Sequence, residues 1–202
     1  LRYISVDIET TGLEPEIHQI IEFAAVLDDL EELRDVNNLP RFHAYVRPRD
    51  GIYRVSEYCL GLHVNIWKKL SGHLALEPGE QIVYDDELPG LFWRWLSKVN
   101  WPLKAKMQRA TFEAVTVSGK NFASFDEKFI VRLPQWKEHE IRFHHRKLDP
   151  AVYFARPTDK VVPDTNECLQ RAGIEATTDH RAVGDALNVI RLLRAGMFPT
   201  KT

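Results

Sequence analysis

The sequence predicts an α/β fold, a mixed five-stranded sheet flanked by helices, on three observations. Residues 2–8, 20–28 and 42–47 are runs rich in β-branched and apolar residues with short linkers between them, which makes an antiparallel meander. After residue 85 the apolar period changes to that of an amphipathic helix, and strands and helices then alternate. The chain closes on two helical patterns, and strand–helix alternation after a meander places helices on the faces of a sheet.

Element by element, RYISVDI (2–8) ends at the turn-forming Thr10-Thr11-Gly12. Asp50-Gly51 marks a turn, Ser56 is placed to cap a short helix, and Leu62 to Leu70 continues helical. Residues 71–80, with Gly72, Pro78 and Gly79, read as loop. Residues 85–99 carry Leu88, Leu91, Phe92, Trp95, Leu96 and Val99 at helical spacing. Ala114 to Ser118 reads as a buried strand, Ser124 to Leu133 as a helix, and Ile141 to Leu148 as the fifth strand. The C-terminal helices run from Thr165 to Ala172 and from Ala182 to Leu193, with Gly173 and Gly196 as their stops.

Length and composition narrow the class. The 202 residues, 44% hydrophobic and 28% charged, are those of a globular protein, expected as a single domain over 1–202. A chain of this size buries about 70% of its unfolded surface, so it needs no disulfide or structural metal. Cys59 and Cys168 form no metal-binding motif. They are read as free thiols in a reducing compartment, with one isolated disulfide as the alternative. No apolar run is long enough to span a membrane, and Asp7 and Glu9 interrupt the N-terminus where a signal peptide would need apolar residues. A cytoplasmic location and no membrane partner are therefore expected.

Net charge is −2, but its distribution is uneven. Residues 1–35 hold two basic side chains against ten acidic ones, and residues 94–147 hold twelve basic against five acidic. Such runs are commonly solvated faces. The sharper reading is an acidic end that binds metal ions and a basic middle that holds phosphates.

Asp7 and Glu9 stand at i and i+2 in a strand, so both carboxylates project from one face. Side by side they repel unless a cation or a proton lies between them, and hard divalent cations such as Mg²⁺ prefer oxygen ligands. D-x-E alone recurs by chance; here it has company. Asp126 lies in NFASFD (121–126), just past a central strand, and Asp185 lies early in the last helix. His180 and Asp185 on one continuous helix would point about 140° apart. His180 is therefore placed in the loop or cap entering that helix, from where it can lean over the same site.

VDIETTG (6–12), NFASFD (121–126) and HRAVGD (180–185), in this order, resemble the three exonuclease motifs of the DEDDh family. Its members include the proofreading epsilon subunit of DNA polymerase III, RNase T and oligoribonuclease. Arg181 stands where the tyrosine branch would have Tyr, which favours the histidine branch. Loop 121–126 is of the longer, oligoribonuclease-like kind.

The resemblance implies an RNase H-like fold and a 3′–5′ exonuclease acting on single-stranded DNA or RNA. It implies Asp7, Glu9, Asp126 and Asp185 as ligands of two Mg²⁺ or Mn²⁺ ions, with His180 as general base. Thr10, Gly12 and Leu13 would meet the terminal nucleotide, Leu13 as a wedge between bases, and Asn121 and Phe125 complete the substrate-binding set. Phe122 and Phe125 can stack on bases, while core packing is the competing reading for Phe125 and for Leu13.

Asp149, followed by Pro150, reads as a helix cap. His43, His63, His144 and His145 read as surface or packed histidines, and the five tryptophans as mostly core. A polymerase or other replication or repair protein is a candidate partner. Two other classes remain open at this point: a binding module that no longer cuts, and an RNase H-like endonuclease.

Overall fold

The computed structural model describes residues 1–106, 109–175 and 181–198. Three long strands, β1 (Arg2–Thr10), β2 (Ile20–Asp29) and β3 (Arg41–Arg47), form the expected antiparallel meander. β4 (Glu80–Tyr84) adds parallel to β3 and β7 (Val117–Ser118) parallel to β1, giving a mixed five-stranded sheet in the order β4-β3-β2-β1-β7. β5 (Leu103–Lys106) and β6 (Arg109–Phe112) make a separate hairpin.

The fifth strand is not the one expected. Ile141–Leu148 pairs with the β7 edge only at its ends, through Val115 with Phe143 and Ser118 with Leu148. The His144 amide still donates to the Val115 carbonyl at 2.8 Å, but His145, Arg146 and Lys147 leave the ladder, since this polar run has no apolar alternation to seat on a buried face. Residues 80–84 take the other edge instead. EQIVY was hidden in a stretch punctuated by Gly72, Pro78 and Gly79, and its alternation is too short to stand out.

Period-2 alternation sorts the central strands into two faces. Ile4, Val6 and Ile8 of β1 join Phe23, Ala25 and Leu27 of β2 and Phe42, Ala44 and Val46 of β3 in one core. Helix α3 (Leu88–Lys98) covers that face with Phe92, Trp95 and Leu96, and Trp136 stacks on Phe92. The opposite face carries Tyr3, Ser5, Asp7 and Glu9 of β1 and Glu22, Ala24, Val26 and Asp28 of β2. Helix α7 (Ala182–Met197) packs there through Ala186, Leu187, Val189, Ile190 and Leu193. Fully buried Asp28 accepts from Tyr3 Oη at 2.7 Å and from Arg194 Nη2 at 2.6 Å, tying the last turns of α7 to the sheet.

The shorter helices follow the sequence with adjusted bounds. α1 (Glu57–Leu62) is capped by Ser56, and α2 (Val64–Leu70) follows directly. α4 (Asp126–Ile130) is shorter than expected at both ends. Asp149 accepts from the Ala151 amide at 2.9 Å at the start of α5 (Ala151–Phe154), although Pro150, expected as the first helical residue, stands at the N-cap position itself. α6 (Thr165–Ala172) ends at Gly173, as expected.

Gly196 does not stop α7, which runs on to Met197. A Cβ there would stand 2.5 Å from Tyr153 Cγ, so this glycine serves the close packing of α5 on α7. Cys59 and Cys168 are buried free thiols. No helix among the described residues is long and apolar enough to cross a membrane.

Candidate active site

Asp7 and Glu9 close β1 on the face covered by α7, and Asp185 lies in the first turn of that helix. Each of the three offers a carboxylate oxygen, and these oxygens lie within 4.8 Å of one another. Asp126 joins them by another route. Central β1 and β7 run parallel, so the chain leaving β7 emerges beside the end of β1, where Asp126 opens α4. It is buried and accepts from the Ile8 amide at 3.2 Å. All four line one cavity of about 650 Å³, whose far wall includes Lys120, Asn121, Thr165 and Asn166.

Burial, joined by charge repulsion at Asp7 and Glu9, holds Asp7, Glu9 and Asp126 toward the protonated form. Asp7 is raised well above the ordinary carboxylate range, first by burial and then by Asp126, Glu9 and Asp185. Glu9 is pushed up to about 8 by burial, then by Glu22, which faces it across the β1–β2 ladder, and by Asp185. Asp126 is raised to about 7 by burial, although its backbone hydrogen bonds oppose the shift. A hard cation relieves this repulsion, and the all-oxygen donor set fits Mg²⁺ or Mn²⁺.

A stability prediction follows. A carboxyl raised in the fold and near 4 when unfolded contributes stability at low pH that is lost as pH rises through its folded value. The metal-free protein should therefore melt at progressively lower temperature between about pH 4 and pH 8. Mn²⁺ should raise the melting temperature more at pH 8 than at pH 5, as thermal melts in chelator and in Mn²⁺ can establish. A metal-free melting temperature that rises across this interval would contradict the electrostatic account.

The turn after β1 is tightly cross-braced. Thr10 Oγ1 donates to the Gly12 carbonyl at 2.7 Å, the Thr11 and Gln19 backbones pair, and the Ser56 amide donates to the Thr11 carbonyl at 2.9 Å. Gly12 packs under the His18 ring, which a Cβ would meet at 2.2 Å. Leu13, at the tip, is 77% exposed, which removes the core-packing reading. Gly12→Ala should displace His18 and the tip, and cleavage of a short oligonucleotide should fall about tenfold with little change in folded content. Kinetics beside circular dichroism would check this.

Asn121 adopts a left-handed φ of +56°. Its amide donates to Asp149 and its carbonyl accepts from Ser124 and Phe125, so it shapes the turn that delivers Asp126. Phe122 is buried edge-on against Phe143. Half-buried Phe125 packs on the core beside Phe129, as the packing reading has it, and also lines the cavity. His180 lies outside the described residues.

Two residues beside the acids were not singled out. His63, taken as an ordinary histidine, is buried at the α1–α2 junction with Nε2 3.6 Å from Glu9 Oε2. Glu22 is wholly buried in β2 opposite Glu9. Its signal was present in IIEFAAVL, where one acid interrupts an otherwise apolar strand.

The fold is therefore the RNase H-like α/β class, with an acid-lined cavity at the end of its central strand. Residues 4–71 match the family model RNase_T, described as Exonuclease. Among curated proteins, none matches the chain significantly. The chain resembles the structure of E. coli exonuclease I in complex with a dT13 oligonucleotide (16% identity, TM-score 0.56, 96% of this chain and 41% of that one). It also resembles cell-death related nuclease 4, CRN-4 (13%, TM-score 0.63, 97% and 63%). The zinc-bound form of the E. coli exonuclease I–single-stranded DNA complex is similar too (18%, TM-score 0.55, 98% and 41%). At these identities the likeness is one of fold. The chain spans about two fifths of exonuclease I and under two thirds of CRN-4. Family model and structural neighbours are consistent with the DEDDh-type exonucleases that the three motifs resemble.

Proposed function

We propose that this chain is a single metal-dependent 3′–5′ exonuclease domain of the DEDDh type, releasing nucleoside 5′-monophosphates from the 3′ end of single-stranded DNA or RNA. The observation that carries the reading is the convergence of Asp7, Glu9 and Asp185 within 4.8 Å, with Asp126 on the same cavity. A nucleic-acid-bound neighbour of the same fold supports the polymer substrate.

Two divalent cations, when bound, would lower the pKa of the attacking water and neutralise charge at the phosphate. Asp7, Glu9, Asp126 and Asp185 would hold them. His180 accepts the water's proton, for which an unperturbed imidazole pKa near 6.5 is suited. Exposed Leu13 and cavity-facing Phe125 meet the terminal base, while Thr10, Gly12 and Asn121 fix the backbone around it. A base wedge needs an unpaired end, because opening a duplex costs roughly 1.4 kcal/mol per base-pair step.

Strands labelled at the 5′ end, as DNA and as RNA, with a 3′ hydroxyl or a 3′ phosphate, test the polarity. Stepwise shortening from the hydroxyl end is expected, with rates at subsaturating substrate that fall as salt rises. Internal cuts at early times would favour the endonuclease reading. Binding without cleavage in Mg²⁺ and in Mn²⁺ would favour the non-cleaving module.

A further inference from the structure

Behind the acid cluster, on the α7 face of the sheet, lies a second set of charged groups that the cleavage chemistry does not use. Glu22 Oε1 is 2.5 Å from His43 Nε2, and Glu22 Oε2 accepts from the Ala182 amide at 3.2 Å. His43 Nδ1 stands 3.7 Å from Glu80, its neighbour across the β3–β4 ladder. Glu80 in turn accepts from Lys69 Nζ at 2.7 Å, from Tyr45 Oη at 3.0 Å and from the Arg181 guanidinium. The side chains of Glu22, His43, Lys69 and Glu80 are all at least nine-tenths buried.

These contacts converge on the start of α7. Arg181 occupies the N-cap position in extended conformation, and its own side chain makes no capping hydrogen bond to the helix. Glu22, reaching across from β2, meets the first helical amide. Arg181 Nη1 also reaches Glu77 at 3.1 Å. Asp185, whose amide donates to the Arg181 carbonyl at 3.0 Å, follows one turn later. Buried Glu22 and Glu80 and the more exposed Glu77 share two cations, Lys69 and Arg181, with His43 between the two buried acids.

We propose that Glu22, Glu80 and Arg181 act as a positioning clamp that sets the first turn of α7, and with it Asp185, against Asp7 and Glu9. This rests on the metal-site reading above. Groups that orient metal ligands typically change metal affinity or activity by about 10- to 100-fold when removed. Arg181 is the residue to test, since its side chain is one quarter exposed and its loss buries no unpaired carboxylate beyond Glu80, which keeps Lys69 and Tyr45.

The experiment compares wild type, Arg181→Ala and Arg181→Lys by Mn²⁺ titration calorimetry on the metal-free protein and by steady-state cleavage of a single-stranded oligonucleotide. Arg181→Ala should weaken Mn²⁺ binding and lower kcat, each by about 10- to 100-fold. KM should stay within about threefold, because no substrate contact is removed. Arg181→Lys, which keeps the charge but not the planar fork, should recover part of both losses. Unchanged Mn²⁺ affinity and kcat in Arg181→Ala, or a loss confined to KM, would overturn the clamp. If the alanine variant does not fold, wild-type Mn²⁺ affinity in a folded Arg181→Lys overturns it. Wild type that neither binds Mn²⁺ nor cleaves would overturn the metal-site reading and the clamp with it, whereas normal wild type beside unaffected variants removes the clamp alone.

Discussion

Asp7→Asn is expected to leave a folded protein that cleaves more than about 100-fold more slowly than wild type, beyond the loss typical of a group that merely orients a ligand. Asp7 is held well toward protonation by burial and by Asp126, Glu9 and Asp185, which all act on it. Replacing it by a neutral isostere removes one anionic ligand and also relieves the others. The variant should therefore melt no lower than wild type in chelator at pH 8, and its stabilisation by Mn²⁺ should largely disappear. Cleavage at wild-type rate by folded Asp7→Asn would remove this residue from the site. Asp185→Asn should behave alike, since its carboxylate shares the same 4.8 Å cluster. Rates paired with melts separate loss of chemistry from loss of fold.

His180→Ala is expected to lose about 10² to 10⁴ in kcat while binding Mn²⁺ and oligonucleotide as wild type does, because it removes proton transfer and leaves the ligands in place. The wild-type rate should climb with pH through the imidazole titration, and the variant should lose that limb. The role is what the resemblance of the HRAVGD motif to the third exonuclease motif implies. A variant with the wild-type rate and pH profile would show that the base lies elsewhere, and His63, 3.6 Å from Glu9, would be the first residue to examine.

Much of this arrangement was legible in the chain. The alternation of β1 puts Asp7 and Glu9 on one face of the sheet, and the same alternation in β2 and β3 sets Glu22 and His43 on it. Spacing also placed Asp126 after a central strand and Asp185 in the last helix. What sequence could not convey is long-range pairing. Residues 80–84 and 141–148 are both short and partly polar, and only the sheet decides which becomes an edge strand. The former finds buried partners for Glu80 on the α7 face, whereas the latter carries four consecutive polar residues.

The roles of single side chains divided along the same line. Leu13 was a candidate through the resemblance and its place directly after the acidic pair, and only the fold shows it exposed at a braced turn tip rather than packed on the core edge. Core packing was readable for Phe125 and holds for both rings, but its added place on the cavity wall follows from the turn at left-handed Asn121 and was not readable. His63 and Arg181 carry no local signal, since their partners Glu9, Glu77 and Glu80 lie between 54 and 104 residues away or are reached only through the fold.

The central claim is that the carboxylates at the end of β1 hold divalent cations for phosphodiester cleavage. Anomalous diffraction from crystals grown with Mn²⁺ tests it most directly. The account predicts two manganese peaks within ligand distance of Asp7, Glu9, Asp126 and Asp185, both lost in Asp7→Asn crystals grown the same way. Manganese bound only elsewhere, in a protein that still cleaves single strands, would contradict it.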